Sequence, residues 1–176
     1  MFSKSVNAIK LAALSAILTG CGLTQTVTNA TTSTTQAIFY KQVKTLHLDF
    51  TARAAANPDA PDMRTLAVPT VVRVYQLRTA KAISQASYAQ LQAGDESALQ
   101  ADLLEMRALV IKPGAAAQLS MPVDPAMQAV AVVALFREPD EPAGHWRMLL
   151  TRDDLHPDRA RLIELGANRL ALRPLE

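Results

Sequence analysis

The sequence predicts a mainly β domain, a β-sandwich with a small helical insertion. Two observations point there. Seven or so short runs of β-branched, aromatic and aliphatic residues recur between Pro, Gly and Asn turns, the spacing of two packed sheets. Between Thr79 and Leu104 the composition changes to Ala, Gln, Ser and Leu, which favour helix.

Residues 1–20 stand apart from that domain. Lys4 and Lys10 flank the start of the chain, an apolar run follows from Leu11 to Leu18, and Thr19 and Gly20 lead to the only cysteine, Cys21. A charged region, an apolar region and small residues in that order form a secretory signal. The apolar stretch to Leu23 is far short of the ~20 residues that span a bilayer. A single cysteine makes no internal disulfide, and no other metal-ligand residues cluster around Cys21 in the sequence. Leu18-Thr19-Gly20-Cys21 resembles the bacterial lipobox. That resemblance implies cleavage before Cys21, a diacylglycerol on its sulfur and an acyl chain on its new amino group. Burial of each methylene contributes about 0.8 kcal/mol, so three chains anchor essentially permanently where one does not. Gly22 in place of an aspartate implies the outer membrane. No cofactor beyond this covalent lipid is expected.

The whole chain has 18 Lys and Arg against 16 Asp and Glu. Loss of residues 1–20 removes Lys4, Lys10 and no acid, leaving 16 of each. A formally neutral body gives no ground for a nucleic-acid partner. Residues 21–36 then form a lipidated tether. The threonine-rich stretch "GLTQTVTNATTSTTQ" has little to bury and reaches about 50 Å when extended.

The sandwich is expected over residues 37–176. Leu46, Leu48 and Phe50 alternate with His47, Asp49 and Thr51, a half-buried strand. Ala54 to Pro69 holds three prolines and several turn formers, a loop of unusual length, and such loops are more often functional than idle. "TVVRVYQL" makes a strand from Thr70 to Leu77. The helical insertion spans about 80–104. Ile83, Ala86 and Leu91 share a face, Gly94 ends one helix, and Asp95 starts a second carrying Leu99 and Leu103. "ALVIKPGAAAQLSMPV" reads as strand, type II turn through Pro113-Gly114, strand. Ala129 to Glu138 is nearly continuous apolar sequence and is expected at the centre of a sheet. "GHWRMLLT" gives a further strand, and the tail gives two short runs around Gly166-Ala167-Asn168.

Chemistry-bearing patterns are sparse. Phosphate-cradling glycine loops, a nucleophile elbow and a zinc-binding helix are all missing from the sequence. His47 and Asp49, two apart on a strand, project from one face and read as its solvated side. His145 and His156 read as surface histidines, and adjacent Asp153 and Asp154 point in different directions unless a turn intervenes. Arg73, between Val72 and Val74, needs an acidic or carbonyl partner if it points inward; an outward arginine fits the sequence equally. The chain is not expected to be an enzyme or to hold a metal. A metal-binding lipoprotein enzyme would need His47, Asp49 and His145 to converge, and a generic periplasmic binding lipoprotein is a further alternative.

The lipobox, Asn57 and its proline-containing loop before "PTVVRVYQL", the helical stretch with Ile83 and Leu91, "IKPG", "VAVVALFRE" and "HWR" occur in the order of the TssJ (SciN/VasD) lipoproteins of type VI secretion systems, which this chain resembles over nearly its whole length. Ile83 and Tyr88 depart from that pattern, standing where phenylalanines are expected. The resemblance implies a transthyretin-like β-sandwich, anchored in the inner leaflet of the outer membrane and facing the periplasm. It also implies the periplasmic C-terminal domain of TssM as partner, TssL reached indirectly within the membrane complex, and neighbouring copies in an assembled ring. Contact with TssM is then expected through the loop Ala54 to Pro69, with Asn57, Asp59, Asp62, Met63 and Arg64 as the binding residues. Met63 is an adaptable apolar contact and Arg64 a candidate hot spot.

Overall fold

A computed structural model describes residues 43–54 and 68–175. They form two four-stranded sheets packed face to face. The strands are β1 (Thr45–Ala52), β2 (Thr70–Leu77), β3 (Leu103–Ile111), β4 (Ala116–Pro122), β5 (Ala129–Leu135), β6 (Arg147–Thr151), β7 (Arg161–Gly166) and β8 (Arg169–Leu172). Two short helices, α1 (Lys81–Gln85) and α2 (Tyr88–Ala93), and a 3-10 turn at Ser97–Leu99 separate β2 from β3. One sheet has the order β4-β1-β7-β8, the other β3-β2-β5-β6. All strand pairs are antiparallel except β1 with β7.

Alternation along β1 decides its orientation. Leu46, Leu48, Phe50 and Ala52 are buried and the residues between them half-buried, the period-two pattern of a strand with one wet face. Their partners on β4 are Met121, Leu119 and Ala117, so this sheet turns one continuous apolar face inward. Each large apolar side chain buried this way stabilises the fold by about 1.5–3 kcal/mol relative to exposure.

The second sheet is covered on both faces. Gln76 donates through Nε2 to the Pro122 carbonyl (2.7 Å) and its Oε1 accepts from the Asp124 amide (2.8 Å), so its face of β2, with Val72 and Val74, meets the other sheet. The alternate residues Arg73, Tyr75 and Leu77 lie under the helices. β5 pairs with β2 on one side and β6 on the other and buries Ala129 through Ala134 without a break. Its unbroken apolar run is thereby explained: a central strand with two covered faces needs no polar side.

The helices have local causes. Ser87 accepts from the Gln90 amide at the start of α2 while the Gln90 side chain accepts from the Ser87 amide, a capping box. Gly94 ends α2 in the left-handed conformation, φ 77°. Ile83, Ala86 and Leu91 are all buried, as their spacing predicts. Asp95 departs from expectation. Its carboxylate accepts from the Ser97 amide at 3.1 Å and the Ser97 hydroxyl, closing a single 3-10 turn, and Leu103 begins β3 instead of ending a helix. Further along, β5 stops at Leu135, and His145 sits in the turn before β6, not at a strand start.

Pro113-Gly114 turns the chain as expected. The Ala115 amide bonds the Lys112 carbonyl at 3.1 Å and Gly114 has φ 70°, which fits a type II turn. The turn carries the chain from the edge strand of one sheet to the edge strand of the other. On the opposite flank the Leu170 amide bonds the His145 carbonyl at 2.9 Å and ties β8 to the entry of β6.

Candidate functional site

The topology gives the sandwich two distinct ends. Val43 and Lys44 enter at one, where the Val123 amide bonds the Lys44 carbonyl at 2.9 Å. β1 then runs the height of the domain, eight residues at about 3.3 Å each, and delivers the chain to the far end. Gathered at that far end are Arg53, the Pro113-Gly114 turn, the segment 136–146 and the β7–β8 turn at Ala167-Asn168. Backbone bonds from Arg53 to Leu165 (2.9 Å) and from Gly114 to Arg53 (3.4 Å) hold three of them together. Residues 55–67, which connect Ala54 to Val68 at this end, lie outside the described residues. Asn57, Asp59, Asp62, Met63 and Arg64 are among them, as is Cys21 at the other terminus.

One cleft that reaches the far end is basic, whereas segment 136–146 brings Glu138, Asp140 and Glu141 to the same end. Glu164, on the outer face of β7, accepts from Arg53 Nε through one oxygen and lies 2.5 Å from Arg173 through the other. These bonds, that to Arg53 foremost, hold its carboxyl below the usual range. With Arg169, Ala171, Gly166 and Ala167 they line a cleft of about 390 Å³. The Arg53 stem crosses Gly166 closely: a β-carbon there would stand 3.0 Å from it, so the arginine would have to shift. A second hollow of about 590 Å³ adjoins it through Arg173 and is lined by Leu162, Pro174 and Leu175. Sequence reasoning missed this cluster. Arg169, Ala171 and Arg173 do alternate along one strand face, which is a legible signal; Arg53 is 111 positions from Glu164 and is not.

The remaining candidates are dispersed. His47 Nδ1 shares a 2.9 Å hydrogen bond with the Ser120 hydroxyl on the wet face of β1 and β4. His145 is exposed, and His156 accepts from the Asp158 amide at 3.2 Å. Among the described residues no three His, Cys, Asp or Glu are placed to hold a metal ion, so His47, Asp49 and His145 do not converge. Asp154 accepts from the Thr151 amide and hydroxyl at 2.7 and 2.8 Å, a structural role. Arg73 takes the carbonyl alternative and bonds Leu91. No helix among the described residues is long and apolar enough to cross a membrane.

Residues 44–168 match the family model T6SS-SciN, described as "Type VI secretion lipoprotein, VasD, EvfM, TssJ, VC_A0113". The chain belongs to the type VI secretion lipoprotein family. No curated protein matches it. Among solved structures, a chain of that described as "T6SS protein TssM C-terminal domain (869-1107) from EAEC" is 36% identical, with a TM-score of 0.65; the match covers 76% of this chain and 100% of that one. A chain of a "Type VI membrane complex" is 38% identical at TM-score 0.69, again with 76% and 100% coverage. TssJ1 from Pseudomonas aeruginosa, described as a T6SS lipoprotein, is 25% identical at TM-score 0.59 over 77% of this chain and 100% of its own. This type VI secretion lipoprotein thus has the family's β-sandwich, and the expected Ile83 and Tyr88 departures fall on buried positions. Tyr88 fills its site by donating its hydroxyl to the Phe136 carbonyl and meeting Trp146 edge-on, centroids 5.1 Å apart. Burial, with Glu141 nearby, pushes its phenol up to about 12, which keeps the donor proton in place.

Proposed function

We propose that this lipoprotein is anchored through Cys21 in the inner leaflet of the outer membrane, faces the periplasm, and ties the type VI secretion apparatus to the outer envelope by binding the periplasmic C-terminal region of TssM. The observation that carries this reading is the match over 76% of the chain, at 36% and 38% identity, to chains of structures described as a TssM C-terminal domain and a type VI membrane complex. The topology supports it. The described chain enters the sandwich at Val43 at one end, and β1 delivers it at Ala54 to the other, where residues 55–67 begin. TssL is reached only through TssM, and neighbouring copies of the lipoprotein meet in the assembled ring. The role is mechanical coupling and requires no catalysis.

Within this reading the loop Ala54 to Pro69 is the contact, and Asn57, Asp59, Asp62, Met63 and Arg64 are its binding residues. Met63 and Arg64 supply affinity, because adaptable apolar and guanidinium groups dominate such interfaces. The test is capture of the TssM periplasmic C-terminal region by the detergent-solubilised lipoprotein, with Asp59 to Arg64 intact or replaced by Gly and Ser. Capture that the replacement abolishes, with the domain still folded, is the expected result. Capture by neither protein favours a generic periplasmic binding module instead.

A further inference from the structure

Building on the partner-binding reading above, we propose that the cleft between Arg53, Arg169 and Arg173 is a second contact surface, and that it receives the carboxylates of an acidic protein segment. Three guanidinium groups stand around one carboxylate there. The mature chain has equal numbers of acids and bases, so this excess is local, not a reflection of composition. Arg53 and Arg173 keep 68% and 52% of their side chains exposed even though both engage Glu164. Arg169 is exposed, and its side chain has no hydrogen bond or ion pair with another described residue.

Glu164 orients the site without neutralising it. Each guanidinium carries five donors in a rigid fork, and one carboxylate takes only a fraction of those offered by two arginines. The unused N–H groups are held in place for a further anion, and carboxylates match the fork. Gly166, Ala167 and Ala171 leave the floor low, so an extended segment can lie between the arginines. Across Arg173 the adjoining hollow places Leu162, Pro174 and Leu175 between that arginine and Arg159. Leu162 and Leu175 are 38% and 42% exposed, which suits acidic residues followed by an apolar one.

Position decides between a protein and a lipid headgroup. The cleft reaches the end of the sandwich opposite Val43, and Arg53 is the last residue but one before residues 55–67. It therefore adjoins the proposed protein interface. Exposed arginines of this kind act mainly on association, by steering, so their effect fades as salt rises.

The experiment uses the full lipidated chain in detergent, wild type and Arg169→Glu, with three probes: an octaglutamate peptide, vesicles containing phosphatidylglycerol, and the TssM periplasmic C-terminal region. Arg169 is exposed and unpaired among the described residues, so its reversal leaves the fold intact; circular dichroism checks this. Expected are loss of octaglutamate binding in the variant and association with the TssM region slowed about tenfold at low salt, the difference shrinking at high salt. Octaglutamate that binds neither protein, or both equally, overturns the proposal, as does Arg169-dependent binding of vesicles but not of peptide. If octaglutamate binding depends on Arg169 while the TssM region binds neither protein, the cleft stands and the partner reading falls. If the TssM region binds through the loop with no response to Arg169→Glu, the partner reading stands and the cleft falls.

Discussion

Arg73 donates to the carbonyl oxygen of Leu91 at 2.5 Å, across 18 positions of chain, from the outer face of β2 to the helix that lies over it. Arg147 does the same from β6, bonding the carbonyls of Ile83 at 2.8 Å and Ala86 at 3.0 Å. Two helices of five and six residues are too short to persist alone, and these guanidinium groups fasten them by the main chain at α1 and α2.

Replacing Arg73 with Leu removes a charge-assisted bond without leaving a buried charge behind. The expected loss is about 1.5–3 kcal/mol in urea unfolding. Amide exchange should quicken first between Lys81 and Leu99, with the strands still protected. Unchanged protection of that segment would show that Arg147 and apolar packing hold the helices unaided.

Ala167 and Asn168 form the β7–β8 turn with φ 50° and 58°. A two-residue turn with both φ positive matches the twist of its strands, but alanine carries a steric cost there of about 1–2 kcal/mol. Glycine removes that cost and adds chain entropy to the unfolded state. Ala167→Gly should therefore stabilise the domain by about 0.5–1 kcal/mol, read as a rise in melting temperature of a few degrees. A fall in melting temperature contradicts the strain argument.

Asp154 accepts from the Thr151 amide and hydroxyl, with Arg161 adding attraction, and its carboxyl is held below the usual range. A depressed folded pKa contributes stability that is fully present above the unfolded value of 3.8 and is lost as the pH falls through the folded value. Wild type and Asp154→Asn, unfolded in urea at pH 6 and then in steps down to pH 2, should therefore converge in midpoint as acid neutralises the wild-type charge. A gap that stays constant with pH assigns the effect to shape alone.

Cys21→Ser removes the thiol that the lipobox reading modifies, since a hydroxyl is a far weaker nucleophile than a thiolate. The expected outcome is loss of the protein from the membrane fraction in its acylated form. Mass spectrometry of the N-terminal peptide checks it: wild type should begin at Cys21 with diacylglycerol and acyl mass added, and the variant should lack both. An unmodified Cys21 in the wild type rules out the lipid anchor.

Much of the fold was legible because its causes are local. Alternation in "LHLDF" oriented β1, the apolar run of β5 announced a strand with two covered faces, and Pro113-Gly114 and Gly94 marked a turn and a helix end through their backbone preferences. Errors fell where two local choices were close in energy. Asp95 had the composition of a helix start, but its carboxylate found the Ser97 amide and hydroxyl and closed a tighter turn. β3 then captured Leu103, paired with Leu77 of β2.

The sequence by itself determined the sandwich, its helical excursion and the family, since periodicity, turn chemistry and motif order are written along the chain. Tertiary structure alone decided that Arg73 points beneath a helix, that Val43 and Ala54 stand at opposite ends of the sandwich, and that Arg53 and Arg173 share Glu164. The reason is physical: side-chain period and backbone preference act over a few residues, whereas a charge cluster depends on which distant strands become neighbours. A chain with nearly balanced charge can still gather arginines around one glutamate, because parallel pairing of β1 with β7 brings residue 53 beside residue 164 and pairing of β7 with β8 adds Arg173.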